Sequence, residues 1–414
     1  MQAAEIKQIS ETLGQDRDAV VAFARDLVST PGFCGEEGAV AALVAERMRD
    51  LGFDDVWTDD AGNVAGRVKG AAPGRSVLLA THLDTARPGE RSLWEHDPFG
   101  ADLADGWLHG LGASSNKAAI ACQVYAAAAL ARAGLRAGDV TVASVVHSEG
   151  GECLGLAHLL ERSLPERRIR TPDFTVMGDP TGLDLFLGHR GRCELEIVTI
   201  GRTSHSSSPW LGLNAAYKMI PVLEGIEELA TALPSHPFLE RSTVAVTDVS
   251  TLPRDAARIP DRCIARIDRR FLPGESLDAI VGQLQTILTR IGARDPEFRG
   301  EISVRSAAER TYSGLERTAP KVMTAWLTAE DHPLVVAAIS ALADLGEVPR
   351  FDKWYFATDG SYVGGTLGLP TIGYSPGEER YSHTPYDRVR VDYILRCAVG
   401  TAAIAGAIAE EGNV

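Results

Sequence analysis

Apolar residues in the first 190 positions follow two alternating patterns, one helical and one extended. Apolar side chains recur at helical spacing in residues 15–29 and 36–51, and Gly32 and Gly52 mark where these helices end. Residues 77–80 are apolar throughout, which is typical of a strand that is covered on both faces. The pattern predicts strands at 56–57, 64–68, 76–80, 140–146 and 174–177, and further helices at 117–133 and 154–162.

The pattern changes after Gly188. Residues 194–200 alternate between polar and apolar, as in an antiparallel strand with one face in water. The same region predicts strands at 243–249 and 263–271 and helices at 214–233 and 277–291. Helices and strands alternate again from residue 318 and end in a helix at 391–410. We therefore predict an α/β domain with a mainly parallel sheet, formed by residues 1–189 and 306–414 and interrupted by a small α+β domain at 190–305.

The composition indicates a globular protein and argues against several classes of partner. The chain has 414 residues, of which 45% are hydrophobic and 23% charged, as in proteins with a packed core. The formal net charge of −15 argues against binding to nucleic acid or to an anionic membrane. The six cysteines form no C-x-x-C pair, and the first ten residues lack the apolar run of a signal peptide. No segment reaches the roughly 18 uninterrupted apolar residues of a membrane span, so we expect a cytoplasmic protein.

Polar residues follow several of the predicted strands at the point where each strand ends. Because the carboxyl ends of parallel strands share one edge of the sheet, we expect these residues to line a common crevice. The glycine-rich stretch at 110–117 matches neither spacing of the known phosphate-binding loops, which argues against a nucleotide site. The candidate polar residues lie in five stretches: H-L-D (82–84), G-L-G-A-S-S-N-K (110–117), H-S-E-G-G (147–151), G-D-P-T (178–181) and S-H-T-P-Y-D (382–387).

Taken together and in this order, these stretches resemble the aminoacylase, succinyl-diaminopimelate desuccinylase and glutamate-carboxypeptidase group of co-catalytic zinc amidohydrolases. The resemblance implies a zinc-peptidase-like catalytic domain, with residues 190–305 as its dimerisation or lid domain. It also implies cleavage of an amide bond in a small, carboxylate-bearing acylated amino acid, dipeptide or related amide. Further matching stretches are W-x-x-D-P-F (94–99), G-R-T-S-H-S-S-S-P (201–209), G-L-N-A (212–215), I-D-R-R (267–270) and T-D-G (358–360).

The resemblance assigns roles to individual residues of the predicted crevice. His82 and His383 fall on the two histidine ligands, one for each metal ion, and Asp179 completes the site of His82. Asp84 falls on the aspartate that orients His82. Glu149 falls on the general base that deprotonates the attacking water.

Three residues of the inserted domain also receive roles from the resemblance. His205 falls on the histidine that reaches across a homodimer to polarise the scissile carbonyl. Arg270 falls on the arginine that grips a substrate carboxylate, for which a bidentate guanidinium is well suited. Asn214 is assigned to substrate binding on the same basis.

Two positions depart from the family pattern. Ser115 stands where the family has the aspartate that bridges both ions, and Gly150 stands where it has a glutamate ligand. A hydroxyl and a bare backbone supply no negative charge to hold two dications roughly 3.5–4 Å apart. We therefore predict that the dinuclear zinc centre is lost and that no cofactor is required, with a single zinc or other divalent ion as the alternative. Replacement ligands could come from His147, Glu152 or Cys153.

The sequence leaves several functions open. The leading hypothesis is metal-free acid–base hydrolysis, in which Glu149 and His205 carry the protons and His82 assists. A second is that Ser115 acts as a nucleophile, with His82 as its base and Asp84 as the orienting group. The remaining alternatives are an ordinary metallopeptidase with shifted ligands and a catalytically silent protein that binds a small carboxylate.

Overall fold

The computed structural model describes residues 3–254 and 256–410. The chain divides into two compact units. Unit 1 comprises residues 1–189, 308–317 and 326–414, and unit 2 comprises residues 190–307 and 318–325. Unit 2 therefore includes a short segment, 318–325, that the sequence pattern predicts to be part of the α/β domain.

The N-terminal part of unit 1 alternates helices with strands. Its helices are α1 (Ala3–Gln15), α2 (Arg17–Ser29), α3 (Gly38–Asp50), α4 (Ala118–Ala133), α5 (Leu154–His158) and α6 (Leu164–Glu166). Its strands are β1 (Asp55–Thr58), β2 (Val64–Lys69), β3 (Ala72–His82), β4 (Asp102–Ala104), β5 (Trp107–His109), β6 (Ala137–Val145), β7 (Phe174–Met177) and β8 (Leu185–His189).

Unit 2 is built on a five-stranded antiparallel sheet and also contains a separate two-stranded sheet. Its strands are β9 (Gly191–Ile200), β10 (Ser235–His236), β11 (Glu240–Arg241), β12 (Thr243–Leu252), β13 (Arg262–Phe271) and β14 (Gly300–Val304), and its helices are α7 (Ala215–Ala232) and α8 (Leu277–Gly292). A ribbon of β15 (Ser306–Arg310) and β16 (Glu316–Pro320) follows, and then β17 (Val322–Met323). The C-terminal part of unit 1 contains β18 (Trp326–Leu327), α9 (Pro333–Ala343), β19 (Phe351–Trp354), β20 (Thr371–Gly373), β21 (Arg388–Arg390) and α10 (Val391–Glu410).

The main sheet of unit 1 is mixed, with a parallel centre. Its strand order is β1-β2-β6-β3-β7-β20-β8-β18, and β19 pairs with β8. The four central strands, β6, β3, β7 and β20, run parallel. The register sets His82 opposite Val145 and Ala80 opposite Met177, so the carboxyl ends of β3, β6 and β7 meet at one edge. The residues that follow these strands are thereby brought together, as expected for an open α/β sheet.

Alanine-rich helices cover the sheet of unit 1. Helix α4 is buried around nearly its whole circumference, which is typical of a core helix that is apolar on every face. Helix α10 is long and apolar enough to cross a membrane by length and composition, but 61% of its apolar window is buried within the protein. Both helices therefore belong to the core, and the N-terminus of α4 presents the S-S-N-K stretch to the sheet edge.

In unit 2 the sheet order is β12-β13-β9-β14, and β17 also pairs with β9. Side chains of β9 alternate strictly between buried and partly exposed positions, as its polar–apolar alternation predicts. Helices α7 and α8 cover the buried face through Met219, Val222, Ile280 and Leu284. The predicted fold class, an α/β catalytic domain interrupted by a small α+β domain, is confirmed.

Candidate active site

His82 lies at the carboxyl end of β3 and is almost fully buried among carboxylates. Its Nδ1 lies 2.8 Å from the backbone oxygen of Asp84 and 3.4 Å from Asp84 Oδ1, while its Nε2 lies 3.9 Å from Asp179 Oδ1. Burial alone lowers the pKa of His82, but the contact with Asp84 and the charges of Asp179 and Glu149 outweigh it and raise the pKa to about 10. His82 is therefore a buried cation at neutral pH.

Asp84 ties His82 to the loop that follows β6. Its carboxylate accepts hydrogen bonds from the backbone N–H groups of Ser148, at 3.1 Å, and Glu149, at 2.8 Å. Burial opposes the ionisation of Asp84, but His82 and these two N–H donors hold its pKa below the usual range. Asp84 is thus an anion that fixes the backbone from which Glu149 projects.

Glu149 and His383 form a pair at the mouth of the crevice. Glu149 Oε1 lies 3.0 Å from His383 Nε2, and the His383 side chain is half exposed. The hydrogen bond to Glu149 raises the pKa of His383. His383, the expected ligand of the second metal ion, is therefore in contact with Glu149, the expected general base.

Ser115 and Asp179 are both buried, and Asp179 lies beside His82. The Ser115 hydroxyl donates to Asn116 Oδ1 at 3.1 Å, and no hydrogen bond joins it to His82 among the residues that the structure describes. Burial raises the pKa of Asp179, against the opposing charge of His82. The nucleophile hypothesis stays a prediction, and it requires the Ser115 side chain to turn from Asn116 toward His82.

The space beside Gly150 is already filled. A Cβ added at Gly150 would lie 2.6 Å from His147 Nδ1 and 3.2 Å from Glu152 Oε2. His147 is buried and lies 3.4 Å from Glu309 through its Nε2. His147 and Glu152, two of the three suggested replacement ligands, therefore occupy the space into which a side chain at position 150 would extend. The third, Cys153, is buried at the start of α5, and burial raises the pKa of its thiol.

A buried carboxylate fixes the loop that carries Ser115. Asp387 accepts hydrogen bonds from the backbone N–H groups of Gly112, at 2.6 Å, and Ser114, at 2.8 Å. Burial raises the pKa of Asp387 to about 7. Lys117 is buried nearby and donates to the backbone oxygen of Thr30 at 2.6 Å, and burial lowers its pKa to about 7. The position of Ser115 is thus set by two backbone N–H groups before it in the chain and by the Lys117 side chain after it.

Asp359 is a member of the site that the sequence analysis did not single out. It belongs to the T-D-G stretch, for which no role was assigned, and it is buried in unit 1. Burial raises its pKa to about 6, and it interacts electrostatically with His82, Asp179 and Asp84. The sequence signal for Asp359 was the T-D-G match. Without knowledge of the fold, this match cannot be distinguished from an ordinary turn.

In unit 2, His205 and Asn214 are held by local hydrogen bonds. His205 is exposed, and the N–H of Ser207 donates to its Nδ1 at 3.1 Å, so in the neutral ring Nε2 carries the proton and can donate. Asn214 caps α7 through its Oδ1, which accepts from Ala216 N–H at 2.9 Å. These contacts leave the His205 Nε2–H and the Asn214 amide N–H groups as the donors suited to the predicted roles.

Arg270 already has a carboxylate partner within unit 2. Its Nε and Nη2 donate to the two oxygens of Asp268, at 2.7 and 3.3 Å. Although Asp268 is partly desolvated, its hydrogen bonds from Arg270 and Arg192 lower its pKa. A substrate carboxylate would share this guanidinium with Asp268. The roles of His205, Asn214 and Arg270 stay predictions.

Comparisons with known proteins decide the family. The model of peptidase family M20/M25/M40 matches residues 78–407. The chain belongs to this family. It is 31% identical to the uncharacterized protein YgeY of Escherichia coli (strain K12) over 384 residues, 92% of each chain. It is 24% identical to the N-formyl-4-amino-5-aminomethyl-2-methylpyrimidine deformylase of Bacillus subtilis (strain 168), over 94% of this chain and 95% of that protein.

The fold of the M20 family is also recovered by structural comparison. The crystal structure of the Bacillus subtilis YXEP protein, described as a dinuclear metal binding peptidase of the M20 family, has a TM-score of 0.71. The match covers 96% of this chain and 99% of the other at 14% identity. The family resemblance and the expected class, hydrolases that act on amide or peptide bonds, are confirmed.

Proposed function

We propose that this M20 protein hydrolyses a small, carboxylate-bearing acylated amino acid, dipeptide or related amide without the paired zinc ions of its relatives. The pairing of Glu149 with His383 at 3.0 Å carries this proposal. Asp84 fixes the backbone of Glu149 in the same crevice. Together these contacts support the proposal that Glu149 serves as the general base, although two metal-ligand positions have changed.

The residues at the family positions do not fit a dinuclear metal centre. The hydroxyl of Ser115 is a neutral donor that is engaged with Asn116, and Gly150 has no side chain. A glutamate at 150 would have to displace His147, which lies 2.6 Å from the place of its Cβ. Without the bridging carboxylate, two dications at a separation of about 3.5–4 Å would repel each other without compensation.

The chain's own groups can carry hydrolysis of an amide. Glu149 accepts a proton as the water oxygen bonds to the carbonyl carbon, and returns it to the amine nitrogen as the C–N bond breaks. The products are a carboxylic acid and an amine, and transfer of the acid's proton to the amine gives a carboxylate and an ammonium. His82, a buried cation, supplies positive charge close to the developing oxyanion. As the family resemblance implies, His205 of a second copy of the chain would donate from Nε2 to the carbonyl oxygen, and Arg270 would bind the substrate carboxylate.

The relatives and the net charge of the chain support the proposed substrate class. The deformylase named above removes an acyl group from an amine, which is the bond type proposed here. Because the chain carries a net charge of −15, a carboxylate on the substrate needs a placed cation, and Arg270 is the proposed one. The cytoplasmic location stays a prediction.

A homodimer formed through unit 2 is part of the proposal. β12 pairs with β13 on one side and ends the sheet on the other, within the residues that the structure describes. Its Val246 and Val249 are 38% and 47% exposed, and Ile220 of α7 is 51% exposed. An exposed, apolar edge strand is a surface that pairing with a second copy would cover.

The experiment that tests the proposal compares wild type with Glu149→Gln on N-formyl, N-acetyl and N-succinyl amino acids and on dipeptides. Loss of the base should reduce kcat by about 10²–10⁴-fold. Glu166→Gln, an exposed glutamate paired with Arg162, is the matched control and should keep full activity. Wild-type turnover by Glu149→Gln would refute the proposal. Tight binding of a carboxylate without any turnover would favour the silent binding protein.

Ser115→Ala separates the proposed base mechanism from the nucleophile alternative. With Glu149 as base, the variant should keep most of its activity, because the Ser115 hydroxyl donates to Asn116 and, within the part of the chain that the structure describes, makes no other hydrogen bond. Abolished turnover, together with loss of a covalent acyl adduct seen in wild type by mass spectrometry, would instead establish Ser115 as the nucleophile.

A further inference from the structure

Three side chains, those of Cys34, Glu37 and Asp84, bring potential metal-ligand atoms together outside the family's metal positions. The Sγ of Cys34, one carboxylate oxygen of Glu37 and one of Asp84 all lie within 4.8 Å of one another. Cys34 and Glu37 come from the turn between α2 and α3, and Asp84 follows β3. A backbone bridge between Phe33 and Thr85 joins the two segments. The cluster is therefore fixed by the main chain on both sides.

Glu37 has a carboxylate oxygen without a hydrogen-bond donor. The side chain is fully buried, and its Oε1 accepts from the backbone N–H groups of Gly35, at 3.0 Å, and His147, at 3.1 Å. Its Oε2 accepts no hydrogen bond among the described residues. A buried, unsatisfied carboxylate oxygen is costly, so a ligand that supplies positive charge would stabilise this arrangement.

The surroundings of the cluster add further negative charge. Cys34 interacts electrostatically with Glu309 as well as with Asp84 and Glu37. Cys34 is partly exposed, which gives an ion a path from solvent. Thiolate sulfur combined with carboxylate oxygen suits zinc, whereas magnesium and calcium prefer oxygen ligands alone.

We propose that Cys34, Glu37 and Asp84 form a zinc site, with water as the fourth ligand. The ion would tie the turn between α2 and α3 to the loop that positions Glu149. This inference does not depend on the proposed reaction, because the site shares only Asp84 with the catalytic crevice. Zinc there would be bound next to the family's metal positions and not in them.

Metal content tests the proposal. Purified protein, equilibrated with zinc and desalted, should retain one zinc per chain by inductively coupled plasma mass spectrometry. Cys34→Ser and Glu37→Gln should each lose it. Glu36→Gln, the adjacent exposed glutamate that pairs with Arg87, is the matched control and should retain it. Retention of the ion by both ligand variants, or a wild type without zinc, would overturn the proposal.

Cobalt substitution tests the same site without relying on a variant that could misfold. Wild-type protein loaded with Co²⁺ should show the near-ultraviolet charge-transfer absorption of a cobalt–thiolate bond, and Cys263→Ser should keep it. Absence of this absorption in wild type would overturn the proposal. Neither readout measures hydrolysis, so failure of the zinc site and failure of the proposed reaction are distinguishable.

Discussion

At the scale of single residues, the site depends on what surrounds the two neutral positions. Gly150 leaves a space that His147 and Glu152 fill, and Ser115 turns its hydroxyl to the neighbouring amide. Asp84, Asp179 and Glu149 raise the pKa of His82, so the His82 side chain is a cation that lies among these carboxylates. Changes at these residues should therefore alter packing and charge in ways that can be measured separately.

Packing around Gly150 can be tested with a single methyl group. Gly150→Ala places a Cβ 2.6 Å from His147 Nδ1, so we expect a loss of about 1–3 kcal/mol in the free energy of unfolding. Gly282→Ala is the control, because its Cβ would lie on the exposed face of α8 and, apart from the backbone of that helix, would meet no atom of the described residues within 4 Å. The control should gain about 0.5–1 kcal/mol. Equal stability of the two variants by chemical denaturation would contradict the packing described here.

The charge of His82 predicts a pH dependence of stability. The pKa is raised from 6.5 to about 10 in the folded protein, so the folded state binds more protons than the unfolded state between these values. The stabilisation is fully present below pH 6.5 and is lost as the pH rises toward 10. The free energy of unfolding of wild type should therefore fall more steeply over this range than that of His82→Gln. Parallel pH profiles for the two proteins would show that His82 is not a buried cation.

At the scale of elements, the site is built from the ends of parallel strands. The alternation of strands and helices in the sequence predicts this edge, and the strand at 174–177 and the helix at 391–410 are observed at those positions. The sequence also places His82, Asp179 and Glu149 after their strands. It could not predict contacts that arise only from tertiary packing, such as His147 beside Gly150 or Cys34 beside Asp84. Asp359 was missed because a single aspartate in a turn has no distinctive pattern.

The loop after β6 should depend on the carboxylate at the end of β3. Asp84→Asn replaces one accepting oxygen by an amide and leaves the N–H of Ser148 or of Glu149 without its acceptor. We expect kcat to fall on the order of 100-fold through misplacement of Glu149, with a smaller change in KM. The control Asp392→Asn removes an exposed pair with Arg390 and should change stability by no more than about 0.5 kcal/mol. Unchanged kcat in Asp84→Asn would contradict the positioning role.

At the scale of the whole molecule, the two units divide the functions that the family resemblance assigns. Unit 1 contains the proposed general base and the groups that contact it, and unit 2 contains the predicted substrate-binding residues and β12, which is an edge strand among the described residues. The M20 family match spans both units, since it runs from residue 78 to residue 407. The exposed apolar residues of unit 2 predict a homodimer. The distribution of charged ligand residues predicts how many zinc ions each chain binds.

The predicted homodimer can be tested at its apolar edge. Ile220→Lys combined with Val246→Lys should make the protein monomeric, because two charged side chains would be buried in the proposed interface. Val348→Lys is the control, since Val348 is 90% exposed and lies in unit 1. Analytical ultracentrifugation should show a dimer for wild type and for the control. A monomeric wild type would contradict the assembly.

The central claim is that the crevice works without metal ions at the family's ligand positions. The most direct measurement is the difference in bound zinc between wild type and the double variant Asp179→Asn/His383→Ala, equilibrated together and quantified by mass spectrometry. We predict no difference, because Ser115 and Gly150 leave too few anionic ligands at these positions. Loss of one or two ions in the double variant, with its fold intact, would contradict the account.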